Sequence, residues 1–232
     1  MTLNKEQKKK KEKNKKPSIF SLRHFVYDFI KITGALPMWL YTRPKIHYVG
    51  NKKEVKKLKS MLIMANHTSM MDAILLHFPF AYRRLWFLAT NDMFDTKFRS
   101  WFFSQLNCIE VNRDNMNIAS YKDMVKYLEW EKAVCIFPEG KIEAKENELQ
   151  QFKLGLTFIA IMNKTPIVPV FLKKRKNFFH RYHVLVGEPI NLHEMCSKIP
   201  TIPEIEKAGQ LLFEKEKELQ TYFEENIERR IK

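Results

Sequence analysis

The stretch Met61-Leu62-Ile63-Met64-Ala65-Asn66-His67-Thr68-Ser69-Met70-Met71-Asp72 decides the reading of this chain. Five apolar residues make a short continuous run, the pattern of a strand covered on both faces. A second apolar run, Ala73-Ile74-Leu75-Leu76, stops before Pro79 and reads as a helix over Ser69 to His77. A histidine and an aspartate lie in the gap between strand and helix. Inside one continuous helix, side chains five positions apart point about 140° away from each other. The two can therefore pair only if His67 precedes the helix and Asp72 lies in its first turn. Two readings fit. Ser69-x-x-Asp72 matches a helix-capping box, with Asp in place of the usual Glu or Gln. The same residues could also make an imidazole base oriented by a carboxylate.

Outward from this stretch the chain alternates strands and helices. Strand patterns fall at Ile46–Val49, Arg84–Ala89, Cys108–Val111, Ala133–Phe137, Ile167–Leu172 and Tyr182–Val186. Helix patterns fall at Lys97–Gln105, Ile118–Trp130 and Phe152–Met162, with a charged amphipathic helix from Pro203. The alternation predicts an α/β fold, a mixed and mostly parallel sheet flanked by helices. Its length, 232 residues, suits one main domain with small appendages. The expected division is a basic disordered tail at 1–17, an amphipathic membrane-associating helical segment at 18–44, the α/β domain at 45–200 and a C-terminal amphipathic helix at 201–232.

The two ends of the chain differ in character from the middle. Residues 1–16 contain eight Lys and two Glu, a composition that solvates the chain and attracts it to anionic surfaces. Ile19 to Tyr41 is rich in aromatic residues. Leu22, Phe25, Val26, Phe29 and Ile30 share one helical face, with His24, Asp28 and Lys31 opposite. Ser18 could cap its start, and Gly34 and Pro37 punctuate its end. A core helix and an interfacial helix both fit that pattern.

The net charge of +15 points to an anionic partner. Nucleic acid is not the expected one, because the lysines concentrate in a tail without interleaved aromatics and no nucleic-acid motif is present. Three cysteines, Cys108, Cys135 and Cys196, have no paired spacing. That argues against a disulfide framework and a zinc site, and for a reducing compartment. No signal peptide and no uncharged apolar window of membrane-spanning length is expected.

Three further stretches could carry chemistry. Phe137-Pro138-Glu139-Gly140-Lys141 breaks a strand with a carboxylate, a permissive glycine and a cation, at the end of the sheet where open α/β folds place ligands. Arg113 follows the strand Cys108–Val111, and a guanidinium can hold a phosphate through two parallel hydrogen bonds. Thr165-Pro166-Ile167-Val168-Pro169-Val170 is an apolar strand bracketed by prolines and reads as structural. Taken singly, Phe137-Pro138-Glu139-Gly140-Lys141 is an ordinary strand-to-loop turn and Arg113 an ordinary surface arginine.

Taken in order, the blocks say more. Asn66-His67-x4-Asp72, Arg113 after a short strand, Phe137-Pro138-Glu139-Gly140, and Pro166-Ile167-Val168-Pro169 together resemble the glycerolipid acyltransferases. The branch they resemble is the 1-acyl-glycerol-3-phosphate, or lysophosphatidic acid, acyltransferase family. The resemblance spans roughly residues 45 to 190, including Phe152-Lys153-x-Gly155 and Gly187-Glu188-Pro189-Ile190. It implies transfer of a fatty acyl group from a thioester of coenzyme A or acyl-carrier protein to a glycerol hydroxyl, giving phosphatidic acid. It assigns His67 as general base and Asp72 as its orienting carboxylate. Arg113 would bind the acceptor's phosphate, and Glu139, Gly140 and Lys141 would shape the acceptor site. No tightly bound cofactor or metal is implied. The partners expected are lysophosphatidic acid, the acyl donor and an anionic membrane surface, with the enzyme on the cytoplasmic face.

The sequence departs from the family pattern twice. Asn107 stands where the second block opens with Gly, and Lys141-Ile142-Glu143 stands where the third continues Thr-Arg-Ser. Lys141 or Lys145 could replace the missing arginine as a point charge. Glycerol-3-phosphate or another lysophospholipid therefore stays open as acceptor. A non-catalytic anionic-lipid-binding protein on the same scaffold stays open as well.

Overall fold

The computed structural model describes residues 22–112, 118–138, 149–175 and 177–230. The basic tail and Ser18 lie outside them, as do Arg113, Glu139, Gly140, Lys141 and Lys145.

Within those residues the strands are β1 (Lys45–Tyr48), β2 (Met61–Ala65), β3 (Leu85–Thr90), β4 (Cys108–Val111), β5 (Ala133–Ile136), β6 (Ile167–Lys173) and β7 (His183–Val186). The helices are α1 (Leu22–Thr42), α2 (Lys52–Lys57), α3 (Asp72–Leu76), α4 (Lys97–Gln105), α5 (Ile118–Glu129), α6 (Leu149–Met162) and α7 (Ile202–Asn226). They form one sheet in the order β1-β7-β6-β2-β5-β3-β4. The run from β6 to β4 is parallel, while β7 pairs antiparallel with β6 and parallel with β1. The expected mixed, mostly parallel sheet is the one found.

β2 lies at the middle of this sheet and every residue in it is buried. Its pleat divides the core in two. Met61, Ile63 and Ala65 pack with Val55, Leu75, Leu76 and Phe80 on one face. Leu62 and Met64 pack with Met124, Leu128, Ile159 and Leu212 on the other. Full burial of such side chains contributes about 1.5–3 kcal/mol each, so a strand covered on both sides holds the residues that follow it.

Two expectations about local structure are corrected. α3 starts at Asp72, not after a cap at Ser69; residues 69–71 make a turn in which the Asp72 N–H donates to the Ser69 carbonyl at 3.1 Å. The N-terminal segment is one helix that runs through Gly34 and Pro37. Pro37 removes one helical donor, but its fixed φ is helical, and the helix is tied to the domain on both sides of the proline. Lys31 donates to the carbonyls of Ala81 and Arg83, each at 2.9 Å, and Arg175 donates to that of Tyr41 at 2.9 Å.

α1 docks by its polar side. His24 and Tyr27 are buried. Asp28 makes a two-point ion pair with Arg84, Nε to Oδ1 at 2.9 Å. The Tyr27 hydroxyl accepts from the Leu85 N–H at 3.0 Å and donates to His77 Nε2 at 3.0 Å, while His77 Nδ1 donates to the Ala73 carbonyl at 2.7 Å. The opposite side carries Phe25, Phe29, Ile32, Leu36, Trp39 and Leu40, each more than half exposed. Beside it α4 leaves Phe98 and Trp101 exposed as well. Among the described residues no helix is long and apolar enough to cross a membrane.

Candidate active site

The chain leaves β2 through Asn66, which is held before the turn begins. Its Nδ2 donates to the Leu172 carbonyl at 3.0 Å and its Oδ1 accepts from the Leu172 N–H at 2.7 Å. A side chain thus continues the β2–β6 ladder after the backbone has left it, and the next residue, His67, is released from the sheet at a fixed point.

His67 lies before the helix, as pairing with Asp72 requires. Its Nδ1 stands 2.9 Å from Asp72 Oδ2. A carboxylate accepts, so Nδ1 carries the proton and the lone pair of the neutral ring is on Nε2. Asp72 is 1% exposed. Its Oδ2 also accepts from the backbone N–H groups of Thr68 (2.6 Å) and Ser69 (2.7 Å), and its Oδ1 from the Ser69 hydroxyl (3.0 Å). The Ser69 hydroxyl in turn accepts from the Met71 N–H at 3.2 Å. A buried carboxylate without partners would be costly. Here the tight turn supplies them, and in doing so fixes the position of the one oxygen that faces the imidazole.

Of the capping and dyad readings, the structure meets the dyad geometry and only half of the capping box: the Asp72 N–H donates to the Ser69 carbonyl and not to its hydroxyl. Asp72 does reach back to the Ser69 N–H, the reciprocal bond of a capping box. The same Oδ2 holds His67. The ring of His67 stacks on Phe137 with centroids 4.4 Å apart and planes 20° from parallel. Phe137 directly follows β5, the neighbour of β2 in the sheet. The imidazole is thus oriented by a carboxylate at one nitrogen and by an aromatic ring across its face, and its side chain keeps 20% exposure.

The roles of Asn66, Thr68, Ser69 and Phe137 around the pair are not assigned by the sequence alone. The signals were there, an Asn at a strand end and a Phe opening the Pro-Glu-Gly block, but the partner of Asn66 lies in β6 and that of Phe137 follows β2. An open cavity of about 450 Å³ adjoins the loop, lined by Asn66, Thr68, Leu172, Lys173, Phe213 and Lys217 among others. Among the described residues no cluster of three or more His, Cys, Asp or Glu could hold a metal ion.

Asn107, where the family pattern has Gly, adopts φ +60° and is fully buried. That left-handed conformation favours Gly and is next best tolerated by Asn. Asn is thus a residue that this left-handed position tolerates.

Comparison with known proteins gives the family. The family model described as Acyltransferase matches residues 46–173. A 1-acyl-sn-glycerol-3-phosphate acyltransferase of Bacillus subtilis is 25% identical over 177 residues, 74% of this chain and 87% of that protein. One from Borreliella burgdorferi is 26% identical over 154 residues, 66% of this chain and 61% of that protein. A probable enzyme of the same name from Mycoplasma pneumoniae is 28% identical over 151 residues, 61% of this chain and 54% of that protein. The crystal structure of the 1-acyl-sn-glycerophosphate (LPA) acyltransferase PlsC from Thermotoga maritima superimposes with a TM-score of 0.55 at 19% identity. It covers 85% of this chain and 81% of that one, a likeness of fold. A match across more than half the chain, spanning the strand, turn and helix that build the His67–Asp72 pair, places this protein in the acyltransferase family.

Proposed function

We propose that this protein transfers a fatty acyl group from a thioester to the free hydroxyl of 1-acyl-glycerol-3-phosphate, giving phosphatidic acid. The observation that carries the reading is the His67 Nδ1–Asp72 Oδ2 contact at 2.9 Å, in a chain whose relatives are named for that reaction.

In this mechanism His67 Nε2 accepts the hydroxyl proton as the acceptor oxygen attacks the thioester carbonyl. Asp72 stabilises the imidazolium that forms and keeps the ring in its productive tautomer. The tetrahedral intermediate collapses by breaking its C–S bond. The proton on His67 passes to the departing thiolate, so that ester and thiol are released and the base is restored. Such a base typically contributes about 10²–10⁴-fold. Arg113 binds the acceptor's phosphate, and Glu139, Gly140 and Lys141 complete the acceptor site. The acyl donor is a thioester of coenzyme A or of acyl-carrier protein, used as a co-substrate with no resident cofactor.

The exposed apolar side of α1 supports a second part of the reading. The helix lies in the membrane interface, on the cytoplasmic side, with its apolar face in lipid and the basic tail beside it. A core helix would turn its apolar side inward, and α1 turns its polar side inward.

A matrix of donors and acceptors tests the proposal. Purified protein is offered acyl-coenzyme A or acyl-carrier thioester against 1-acyl-glycerol-3-phosphate, glycerol-3-phosphate and neutral lysophospholipids. Highest turnover is expected on 1-acyl-glycerol-3-phosphate. Highest turnover on glycerol-3-phosphate would move the acceptor, and no thioester consumption in any cell would contradict catalysis.

A further inference from the structure

The connection between β6 and β7 takes no part in the site above, yet it displays two large apolar rings. Phe178 is 61% and Phe179 84% exposed, with ring centroids 6.0 Å apart. They are held firmly. Asn177 Oδ1 accepts from the N–H groups of Phe179 (3.1 Å) and His180 (3.3 Å), closing a tight turn. Two arginines fasten this turn to the C-terminal end of α1. Arg43, directly after the helix and at φ +45°, donates to the Phe178 carbonyl and lies 5.7 Å over its ring. Arg175 donates to the Tyr41 carbonyl and lies 4.5 Å over the Tyr41 ring and 5.2 Å over that of Phe178. The tip thereby continues the exposed row Leu36, Trp39, Leu40 and Tyr41 of α1.

The chemistry around the rings selects the occupant. Lys174 and Arg181 are exposed beside them, and the sequence from 174 to 182 contains no acidic residue. A symmetric contact with a second copy would set this cationic tip against itself. An anionic bilayer meets both requirements, offering phosphates to the arginines and acyl chains to the rings.

We propose that the β6–β7 tip is a second bilayer contact, in which Phe178 and Phe179 enter an anionic membrane and extend the α1 contact beyond the C-terminal end of the helix. The proposal rests on the reading of α1 as an interfacial helix. The apolar face of α1 sets the roll of the helix in the interface, and a contact beyond its C-terminal end limits its tilt against the membrane plane.

The test uses the full chain with phosphatidylglycerol–phosphatidylcholine vesicles. Phe178→Ser/Phe179→Ser should partition about 10-fold more weakly than wild type, from the apolar area withdrawn from lipid. It should lose turnover on vesicle-borne acceptor and keep it on detergent-dispersed acceptor. Phe179→Ser alone, whose ring stacks on neither arginine, should show part of the same loss. Arg181→Gln should weaken binding about 5-fold and flatten its salt dependence. Equal partitioning of wild type and double variant overturns the proposal and leaves α1 as the anchor. Loss of self-association in place of vesicle binding overturns it in favour of a second copy. Failure of the wild type to bind vesicles at all overturns the α1 reading and this proposal together.

Discussion

The turn between β2 and α3 and the helix α1 invert the usual arrangement of a globular protein in opposite ways. At the turn a carboxylate is buried and given polar partners from five groups. Along α1 a row of large apolar side chains is exposed while His24, Tyr27, Asp28 and Lys31 face the domain. Burying charge and exposing hydrocarbon are both costly in water. The first makes sense where one imidazole must be held in one orientation, the second where the surroundings are not water. The comparison therefore predicts different responses to substitution. At the turn, loss of the buried carboxylate should damage chemistry and fold together. On the outer side of α1, gain of a polar group should leave the fold intact.

Asp72→Ala should have the largest effect. It leaves His67 unoriented and the Thr68 and Ser69 N–H groups without their acceptor, so acyl transfer should fall by about 10³-fold or more. Thermal or urea unfolding should report a loss of about 3 kcal/mol. Asp72→Asn, which keeps an acceptor oxygen, should recover much of the stability and little of the activity.

On α1 the comparison can be broken within one turn of helix. Tyr27→Phe is chemically mild but strips the Leu85 N–H and His77 Nε2 of their partner, and should cost about 1–3 kcal/mol. Phe29→Ser is chemically severe but lies on the exposed side, and should change stability by less than about 0.5 kcal/mol. Its effect should appear in vesicle binding. A larger stability loss for Phe29→Ser than for Tyr27→Phe would mean that the outer side is buried in the protein.

A pH titration of stability reads the same junction. Burial holds the His77 imidazole down to about 4 against its ordinary 6.5. The folded state thus keeps His77 neutral where the unfolded chain takes up a proton. Its contribution is fully present above pH 6.5 and is lost as pH falls from 6.5 toward 4. His183, also held down to about 4 by burial, adds to the slope in the same window. Denaturant midpoints for His77→Gln should fall less steeply across that range than those of wild type.

At Asn107 the expected change is a gain. Glycine there would relax the left-handed backbone and remove two side-chain polar atoms that are buried without a hydrogen-bond partner. Asn107→Gly should raise stability by about 1 kcal/mol in chemical denaturation.

Strand positions were legible from the sequence because β2, β5 and β6 are short apolar runs closed by polar or proline-bearing turns. The His67–Asp72 pair was legible as a geometric demand, that the histidine precede the helix, and the structure meets it. The late start of α3 was not, because the hydrogen bonds that replace its first turn run to a side chain, that of Asp72. Periodicity revealed two faces on α1 but not which one docks. That depends on Arg84, Leu85, Ala81 and His77, which lie 50 to 58 residues away. Gly34 and Pro37 read locally as a helix end, and contacts on either side of them override that signal. Arg113, Glu139, Gly140 and Lys141 rest on the resemblance to the family, and their side chains belong to segments outside the described residues.

The central claim is that His67 is the base for acyl transfer, and His67→Ala tests it most directly. The imidazole is partly exposed and its removal leaves Asp72 with both backbone donors and the Ser69 hydroxyl. Turnover of thioester with 1-acyl-glycerol-3-phosphate should therefore fall by at least about 10²-fold while the unfolding midpoint stays near that of wild type. Turnover within a few-fold of wild type, in a variant shown to be folded, would contradict the account.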